Sequence, residues 1–62
     1  MRLLIENYGD IKIFKDKSLF GLPRFIVEEI DGYTRIFSGI WYKKEDIITI
    51  VEKQLNEQEG RH

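Results

Sequence analysis

The 62-residue sequence contains no cysteine, so neither a disulfide nor a thiolate metal site can stabilise the fold. Its single histidine is the last residue, His62, which argues against a histidine-based metal site. Carboxylates alone would favour only a hard cation such as Mg²⁺ or Ca²⁺. We therefore expect no cofactor and no metal. A chain of this length buries only roughly 60% of the surface that its unfolded form exposes. Self-association is then the remaining way to support a small core.

The sequence also lacks a long apolar run and an excess of charge of either sign. No segment has the length of a signal peptide or a membrane span, so we expect a cytoplasmic protein without a membrane partner. The 10 basic and 11 acidic residues are interspersed and give a net charge of -1, which is typical of a globular surface rather than a nucleic-acid coat. A hydrophobic content of 42% argues against disorder and for one folded domain, residues 1–62.

No catalytic motif is present in the sequence. A nucleophilic triad needs a base, and the only histidine stands at position 62. Glu28 and Glu29 are neighbours in a predicted strand, so alternation places them on opposite faces and they cannot act together on one substrate. With Asp31 they are expected to be solvated surface charges. The five glycines are too dispersed for a phosphate-binding loop, and we expect a protein that is not an enzyme.

What the sequence does contain is a strong hairpin signal. Asp31-Gly32 stands between two runs of alternating residues, Arg24–Ile30 and Tyr33–Ile40. A two-residue type I′ turn needs φ > 0 at both central positions, and Asp-Gly is a favoured pair for it. The facing pairs in that register are Ile30 with Tyr33, Glu28 with Arg35, Val27 with Ile36, and Ile26 with Phe37.

Another hairpin is predicted from Leu3–Asn7 and Ile11–Lys15, with Tyr8-Gly9-Asp10 as a three-residue loop between them. The glycine of this loop permits the positive φ that such a turn requires. The cross-strand pairs expected in this register are Ile5 with Ile13, Leu4 with Phe14, and Glu6 with Lys12.

Two segments outside the predicted strands are rich in large apolar side chains. Asp16–Pro23 contains Leu19, Phe20 and Leu22, and it is expected either to fold back over one end of the core or to form an exposed binding loop. Trp41-Tyr42-Lys43-Lys44 interleaves aromatic and basic residues, a combination that can stack on and neutralise nucleic acid. The alternative for Trp41 is a partly buried lid over the core, with its N–H in water.

One helix is predicted over Lys44–Glu57, because the apolar residues there follow helical spacing. Its stripe consists of Ile47, Ile48, Val51 and Leu55, with Ile50 at the margin. No capping residue precedes the stripe, and Gly60 is expected to end the helix. The sequence thus predicts an α+β fold, a four-stranded antiparallel sheet of two hairpins with one C-terminal helix packed on one face. A three-stranded sheet, with the first run as an arm, is the alternative.

The expected registers divide the strand residues between two faces of the sheet. The helix is predicted to cover the more aliphatic face, which carries Leu3, Ile5, Ile11, Ile13, Phe25, Val27 and Ile36. The second face holds the candidate interface residues Leu4, Phe14, Ile26, Ile30, Tyr33 and Phe37. An apolar patch of this kind on a small soluble protein usually marks an interface. The alternatives are cover by the Leu19–Leu22 loop, a homodimer packed sheet to sheet, and a surface for another macromolecule.

The segment Arg35–Asp46 contains a strand that leads to Gly39, an aromatic pair, and a helix start with lysine and glutamate. It resembles the strand-to-helix unit of the three-stranded-sheet-plus-helix DNA-binding domains of plant ethylene-response factors and phage-type integrase N-termini. The resemblance implies that the sheet face away from the helix contacts DNA, through Lys12, Arg24 and Arg35. DNA binding of this kind needs a net positive stripe, whereas the chain has a net charge of -1.

The function that the sequence favours is a small non-enzymatic protein-interaction or accessory module. It is expected to act by protein–protein contact, with a second copy of itself or another protein as its partner. A phage- or prophage-type protein is one expectation for a small single-domain chain of this composition. The alternative is a small DNA-binding domain that uses the sheet face opposite the helix.

Overall fold

The computed structural model describes residues 2–59, which form four strands and one helix. The elements are β1 (Leu3–Asn7), β2 (Ile11–Lys17), β3 (Pro23–Glu29), β4 (Thr34–Ser38) and α1 (Lys44–Glu59). Antiparallel neighbours follow one another in the order β1-β2-β3-β4, so a tight turn joins each strand to the next. The predicted α+β fold is confirmed, and β1 is part of the sheet rather than an arm. The predicted helix end at Gly60 lies outside the described residues, as does His62.

The core lies between α1 and one face of the sheet. Its buried residues are Ile11, Ile13, Phe25 and Val27 from the sheet and Ile47 and Val51 from the helix. Partly buried side chains surround this cluster, namely Ile5, Tyr8, Phe37, Ile48 and Leu55. The predicted helix stripe therefore faces the sheet, as its spacing indicates.

The start of α1 is capped from inside its first turn. No serine, threonine, aspartate or asparagine stands just before Lys44, where α1 begins, but the carboxylate of Asp46 in the first turn accepts a hydrogen bond of 2.9 Å from the Lys43 backbone N–H. The Asp46 N–H in turn donates to the Lys43 carbonyl oxygen. This arrangement is the reverse half of a capping box, and it places an acidic side chain at the positive end of the helix dipole.

The β3–β4 register differs by one residue from the predicted register. The observed pairs are Arg24 with Ser38, Phe25 with Phe37, Ile26 with Ile36, Val27 with Arg35, and Glu28 with Thr34. The predicted pairs of Val27 with Ile36, Glu28 with Arg35 and Ile26 with Phe37 are therefore wrong. Because a shift of one residue reverses every side chain of a strand, Val27 and Ile36 lie on opposite faces.

The turn between β3 and β4 explains the shift. Its loop has three residues, Ile30-Asp31-Gly32, since the Gly32 N–H donates to the Glu29 carbonyl and the Glu29 N–H donates to the Tyr33 carbonyl, both at 2.9 Å. Gly32 has φ +90°. Within residues 2–59, every residue with positive φ is a glycine. The predicted type I′ turn would force Asp31 to positive φ. The observed three-residue loop requires positive φ only at Gly32.

Packing against the helix also favours the observed register. Phe37 faces the core, and its ring and that of Tyr42 are T-shaped to each other, with the ring centroids 5.2 Å apart. Ile36, which the sequence assigned to the core, lies on the other face and is 61% exposed. An aromatic ring removes more apolar surface from water than an isoleucine side chain does, so burying Phe37 stabilises the fold more.

The β1–β2 hairpin contains a two-residue loop and a bulge. Tyr8 N–H donates to the Ile11 carbonyl at 2.8 Å, so only Gly9-Asp10 lie outside the pairing, and the predicted three-residue loop Tyr8-Gly9-Asp10 is wrong. Leu4 pairs with Phe14 as predicted, but a bulge between Leu4 and Glu6 shifts the rest, and the pairs are Glu6 with Ile13 and Asn7 with Lys12. The predicted pairs of Ile5 with Ile13 and Glu6 with Lys12 are wrong. The extra residue of the bulge still lets Ile5 pack on the core.

Candidate interaction site on the open sheet face

The sheet face that α1 does not cover, called the open face below, carries three rows of side chains across the strands. Cross-strand partners point to the same side of a sheet, so the pairings define each row. The middle row is apolar and consists of Leu4, Phe14, Ile26 and Ile36. The two flanking rows are polar and consist of Asn7, Lys12, Glu28 and Thr34 on one side and Asp16, Arg24 and Ser38 on the other.

The apolar row is uncovered mainly at the two edge strands. Leu4 on β1 is 46% exposed, and Ile36 on β4 is more exposed still. Phe14 is half-buried, and Ile26 at the centre is only 5% exposed. Since Ile26 is not among the residues that pack against the helix, its neighbours on the open face must shield it.

Arg2 covers part of this row. Its guanidinium carbon lies 4.3 Å from the centroid of the Phe14 ring, and its Nη2 lies 3.0 Å from Glu28 Oε2. Both charged side chains are substantially exposed, so the ion pair contributes at most about 1 kcal/mol to stability. Arg2 shields the ring of Phe14 and leaves Leu4 and Ile36 in contact with water.

A second ion pair lies in the opposite flanking row. Arg24 Nη2 is 3.1 Å from Asp16 Oδ2, and the Lys17 backbone N–H donates to Asp16 Oδ1 at 2.6 Å. The hydrogen bond from the Lys17 N–H, and after it the one from Arg24, holds the pKa of Asp16 below its ordinary value of 3.8. Asp16 is therefore a carboxylate at neutral pH and fixes Arg24 on the open face.

Asp16 is expected to link the stability of the fold to acid pH. Because its pKa is lower in the folded chain than in the unfolded chain, its stabilisation is present above 3.8 and is lost as the pH falls through the folded pKa. Asp16→Asn removes this contribution, so its thermal midpoint should fall less in acid than that of the wild type. Circular dichroism melts across the acid range measure the difference. Parallel pH profiles for the two proteins would contradict the assignment.

The open face contains three of the six predicted interface residues. Leu4, Phe14 and Ile26 lie on it as expected. Phe37 does not, because it faces the helix, and Ile36 occupies the corresponding position. Ile30 lies in the β3–β4 loop, and Tyr33 follows that loop; both are exposed. The Ile-Asp-Gly sequence also fits a three-residue loop, and that interpretation of the turn would have identified Ile36.

The three basic residues considered for nucleic-acid contact do not lie together. Lys12 is cross-strand to Glu28, and Arg24 is paired with Asp16 in the other flanking row. Arg35 faces α1, where its guanidinium donates to the Gln54 side-chain oxygen. The Gln54 amide in turn donates to Glu29 Oε1 at 3.1 Å, so this chain of polar contacts joins the helix to the sheet. The charges of the open face alternate in sign rather than form a positive stripe.

The apolar segments outside the strands leave the open face uncovered. Leu19 and Phe20 are 102% and 89% exposed, so of the two alternatives for the β2–β3 loop the structure shows an exposed loop and not one folded back over the core. Trp41 is 83% exposed and is not a lid over the core. Both segments instead expose their apolar side chains to solvent at one end of the sheet.

The concave regions of the described chain offer little reactive chemistry. One groove, with a volume of about 400 Å³, is lined by Tyr8, Glu52, Leu55 and Asn56. Burial, and then the charges of Glu52 and Glu6, raise the pKa of Tyr8, so its hydroxyl keeps its proton at neutral pH. Between residues 2 and 59 no group of three histidine or acidic side chains is placed to hold a metal ion. No helix in that range has the length and apolar character needed to cross a membrane.

The fold and the open face together define a small α+β domain with one partly apolar sheet face. Comparisons with protein-family models, with curated proteins and with solved structures found no match to this chain. The geometry and charge of its own surfaces are therefore the features that bear on its function.

Proposed function

We propose that the chain is a small protein-interaction module that forms a homodimer through its open face. The observation that carries this proposal is the apolar row of Leu4, Phe14, Ile26 and Ile36, uncovered at both edges of the sheet between two charged rows. Burying apolar surface contributes about 25 cal/mol per Å² removed from water. Because a core this small supplies only a few kcal/mol of stability, burial of the open face would raise the total stability by a larger fraction than it would in a large protein.

The charges around the apolar row alternate in sign. On β2, Lys12 and Asp16 flank Phe14, and on β3, Glu28 and Arg24 flank Ile26. Each charge therefore has an opposite charge across the strand pair and another four positions along its own strand. This gives a pattern of four charges with a hydrophobic centre.

Such a pattern is complementary to itself under a two-fold axis. With the axis parallel to the strands, β2 of one protomer lies over β3 of its partner, and Lys12 meets Glu28 while Asp16 meets Arg24. With the axis across the strands, each strand lies over its own copy, and Lys12 meets Asp16 while Glu28 meets Arg24. Among these four side chains, both arrangements bring together only opposite charges, within the angle of about 30° that sheet twist imposes. This favours a second copy as the partner over a surface of one sign of charge.

Ile36→Glu is expected to give a folded monomer. Ile36 is exposed and makes no contact with the helix, so the fold does not depend on it, but a charge in the middle row would be buried without a partner in the dimer. Sedimentation equilibrium should show twice the chain mass for the wild type and the single chain mass for the variant. Circular dichroism checks that the variant is folded.

Ile30→Glu is the matched control, because Ile30 is also exposed but lies in the β3–β4 turn rather than on the open face. It should remain dimeric. A wild type that is monomeric at every concentration would overturn the proposal. The DNA-binding alternative is tested in the same sedimentation experiment by adding a labelled random DNA duplex at low salt. Binding by a monomer that Lys12→Ala abolishes would favour nucleic acid as the partner.

A further inference from the structure

A second exposed apolar surface lies at one end of the sheet, away from the open face. Its residues, called the apolar pole below, are Leu19, Phe20 and Leu22 of the β2–β3 turn and Ile40 and Trp41 of the β4–α1 connection. Leu19, Phe20 and Trp41 are each more than four-fifths exposed. Large apolar side chains with so little cover are unusual on a soluble surface unless something binds there.

Close backbone packing brings the two segments of the pole together. The Gly39 N–H donates to the Pro23 carbonyl at 2.8 Å, which fixes the start of the connection against the end of the turn. A Cβ at position 39 would lie 2.8 Å from backbone atoms of Pro23, so only glycine permits this approach. The Tyr42 N–H returns to the Ser38 carbonyl at 3.0 Å and holds the connection in a tight turn.

The β2–β3 turn does not need apolar residues for its own structure. The Ser18 N–H donates to the Leu22 carbonyl at 2.8 Å, the Gly21 N–H to the Ser18 carbonyl at 2.9 Å, and Gly21 supplies positive φ. Leu19 and Phe20 occupy the corners of this turn, where asparagine, aspartate or serine would serve as well. The corresponding corners of the β3–β4 turn hold Ile30 and Asp31. The apolar pair is therefore a feature of the surface and not of folding.

Exposed lysines surround the pole. Lys15 and Lys17 lie on the last part of β2, and Lys43 and Lys44 lie where α1 begins. The nearby carboxylates are Asp16, which pairs with Arg24, and Glu45 and Asp46 in the first turn of α1, so basic side chains outnumber acidic ones at this end. The opposite end of the sheet has acidic residues in both of its turns, Asp10 and Asp31. The chain is thus polarised along its strands, although its net charge is close to zero.

We propose that the apolar pole docks on the surface of an anionic lipid bilayer. Leu19, Phe20 and Trp41 would enter the boundary between headgroups and acyl chains, the depth at which tryptophan is favoured, while the lysines contact anionic headgroups. The pole is a pair of protruding turns rather than a groove, a shape suited to entering a soft surface. The sequence led us to expect no membrane partner because it has no apolar run that could span a bilayer, but docking by two turns requires no such run.

The single tryptophan makes the docking directly measurable. With vesicles of equal parts phosphatidylglycerol and phosphatidylcholine, the emission of Trp41 should shift to shorter wavelength and the protein should sediment with the vesicles. Vesicles of phosphatidylcholine alone should bind at least about tenfold more weakly, because each basic residue near an anionic surface contributes about 1 kcal/mol. Added salt should reduce the binding to the anionic vesicles.

The double variant Leu19→Ser/Phe20→Ser should lower the partition coefficient for anionic vesicles by about tenfold or more, since two exposed apolar side chains no longer enter the bilayer. Ile30→Ser is the matched control at the equivalent corner of the β3–β4 turn and should bind as the wild type does. The Ile36→Glu protein should also bind, because the open face and the pole are separate surfaces.

Several outcomes would overturn the docking proposal. Equal binding by the double variant and the wild type would show that the pole does not enter the bilayer. An absence of any emission shift with anionic vesicles would do the same. A blue shift of Trp41 that grows with protein concentration, without vesicles, would identify a second copy of the chain as the occupant of the pole.

Discussion

Ile47→Ala is expected to lower the free energy of unfolding by about 2–5 kcal/mol. Ile47 is fully buried and lies in the cluster that joins α1 to the sheet, so truncation of its side chain leaves a cavity within that cluster. A core of this size supplies roughly 3–5 kcal/mol in total. The variant should therefore be largely unfolded at room temperature, as urea titrations followed by circular dichroism would measure.

Ile50→Ala is the matched control for this experiment. Ile50 is on the same helix and undergoes the same chemical change, but it lies at the margin of the stripe and is only partly buried. Its loss should lower the free energy of unfolding by less than about 1 kcal/mol. Similar losses for the two variants would mean that the helix does not pack as described.

The second large effect distinguishes the observed β3–β4 register from the one predicted from the sequence. Phe37→Ala should lower the free energy of unfolding by about 2–3 kcal/mol, because the ring packs partly buried between the core and Tyr42. Ile36→Ala should change it by less than about 0.5 kcal/mol, since Ile36 is an exposed residue on the open face.

Both variants are compared at a protein concentration low enough to dissociate the proposed dimer, so that only the fold is measured. Chemical denaturation then gives the two free energies of unfolding on the same scale. The reverse order, with Ile36 as the costly position, would restore the predicted register and contradict the observed pairing.

The order and type of the elements could be predicted because the patterns that specify them are local. Alternation defines the strands, and the spacing of Ile47, Ile48, Val51 and Leu55 defines both the helix and the side that faces the sheet. These patterns extend over many residues, so an error at one position does not change the conclusion.

The register could not be predicted because it depends on a single residue in a turn. Asp31-Gly32 indicates a hairpin but fits both a two-residue loop and a three-residue loop, and the choice decides whether Ile36 or Phe37 faces the helix. The bulge between Leu4 and Glu6 has no comparable sequence signal. It alters the pairing on one side of that point while leaving Leu4 opposite Phe14.

The candidate site could be predicted where it depends on local alternation and not where it depends on the β3–β4 register. Alternation within their own strands predicts Leu4, Phe14 and Ile26 on the second face, and the structure places them there. Ile36 was missed because its assignment depended on the turn. The exposure of Leu19 and Phe20 was also undecided, because an apolar loop becomes buried only if the rest of the fold comes within its reach.

The most direct test of the central claim, dimerisation through the open face, is an isotope-filtered NOE experiment on a mixture of labelled and unlabelled chains. It detects only contacts between different molecules, and the chain is small enough for complete assignment. We predict intermolecular NOEs among the methyl groups and rings of Leu4, Phe14, Ile26 and Ile36, and none to the methyl groups of Ile30. The absence of intermolecular NOEs in this row, or their appearance only at Leu19, Phe20 and Trp41, would contradict the account.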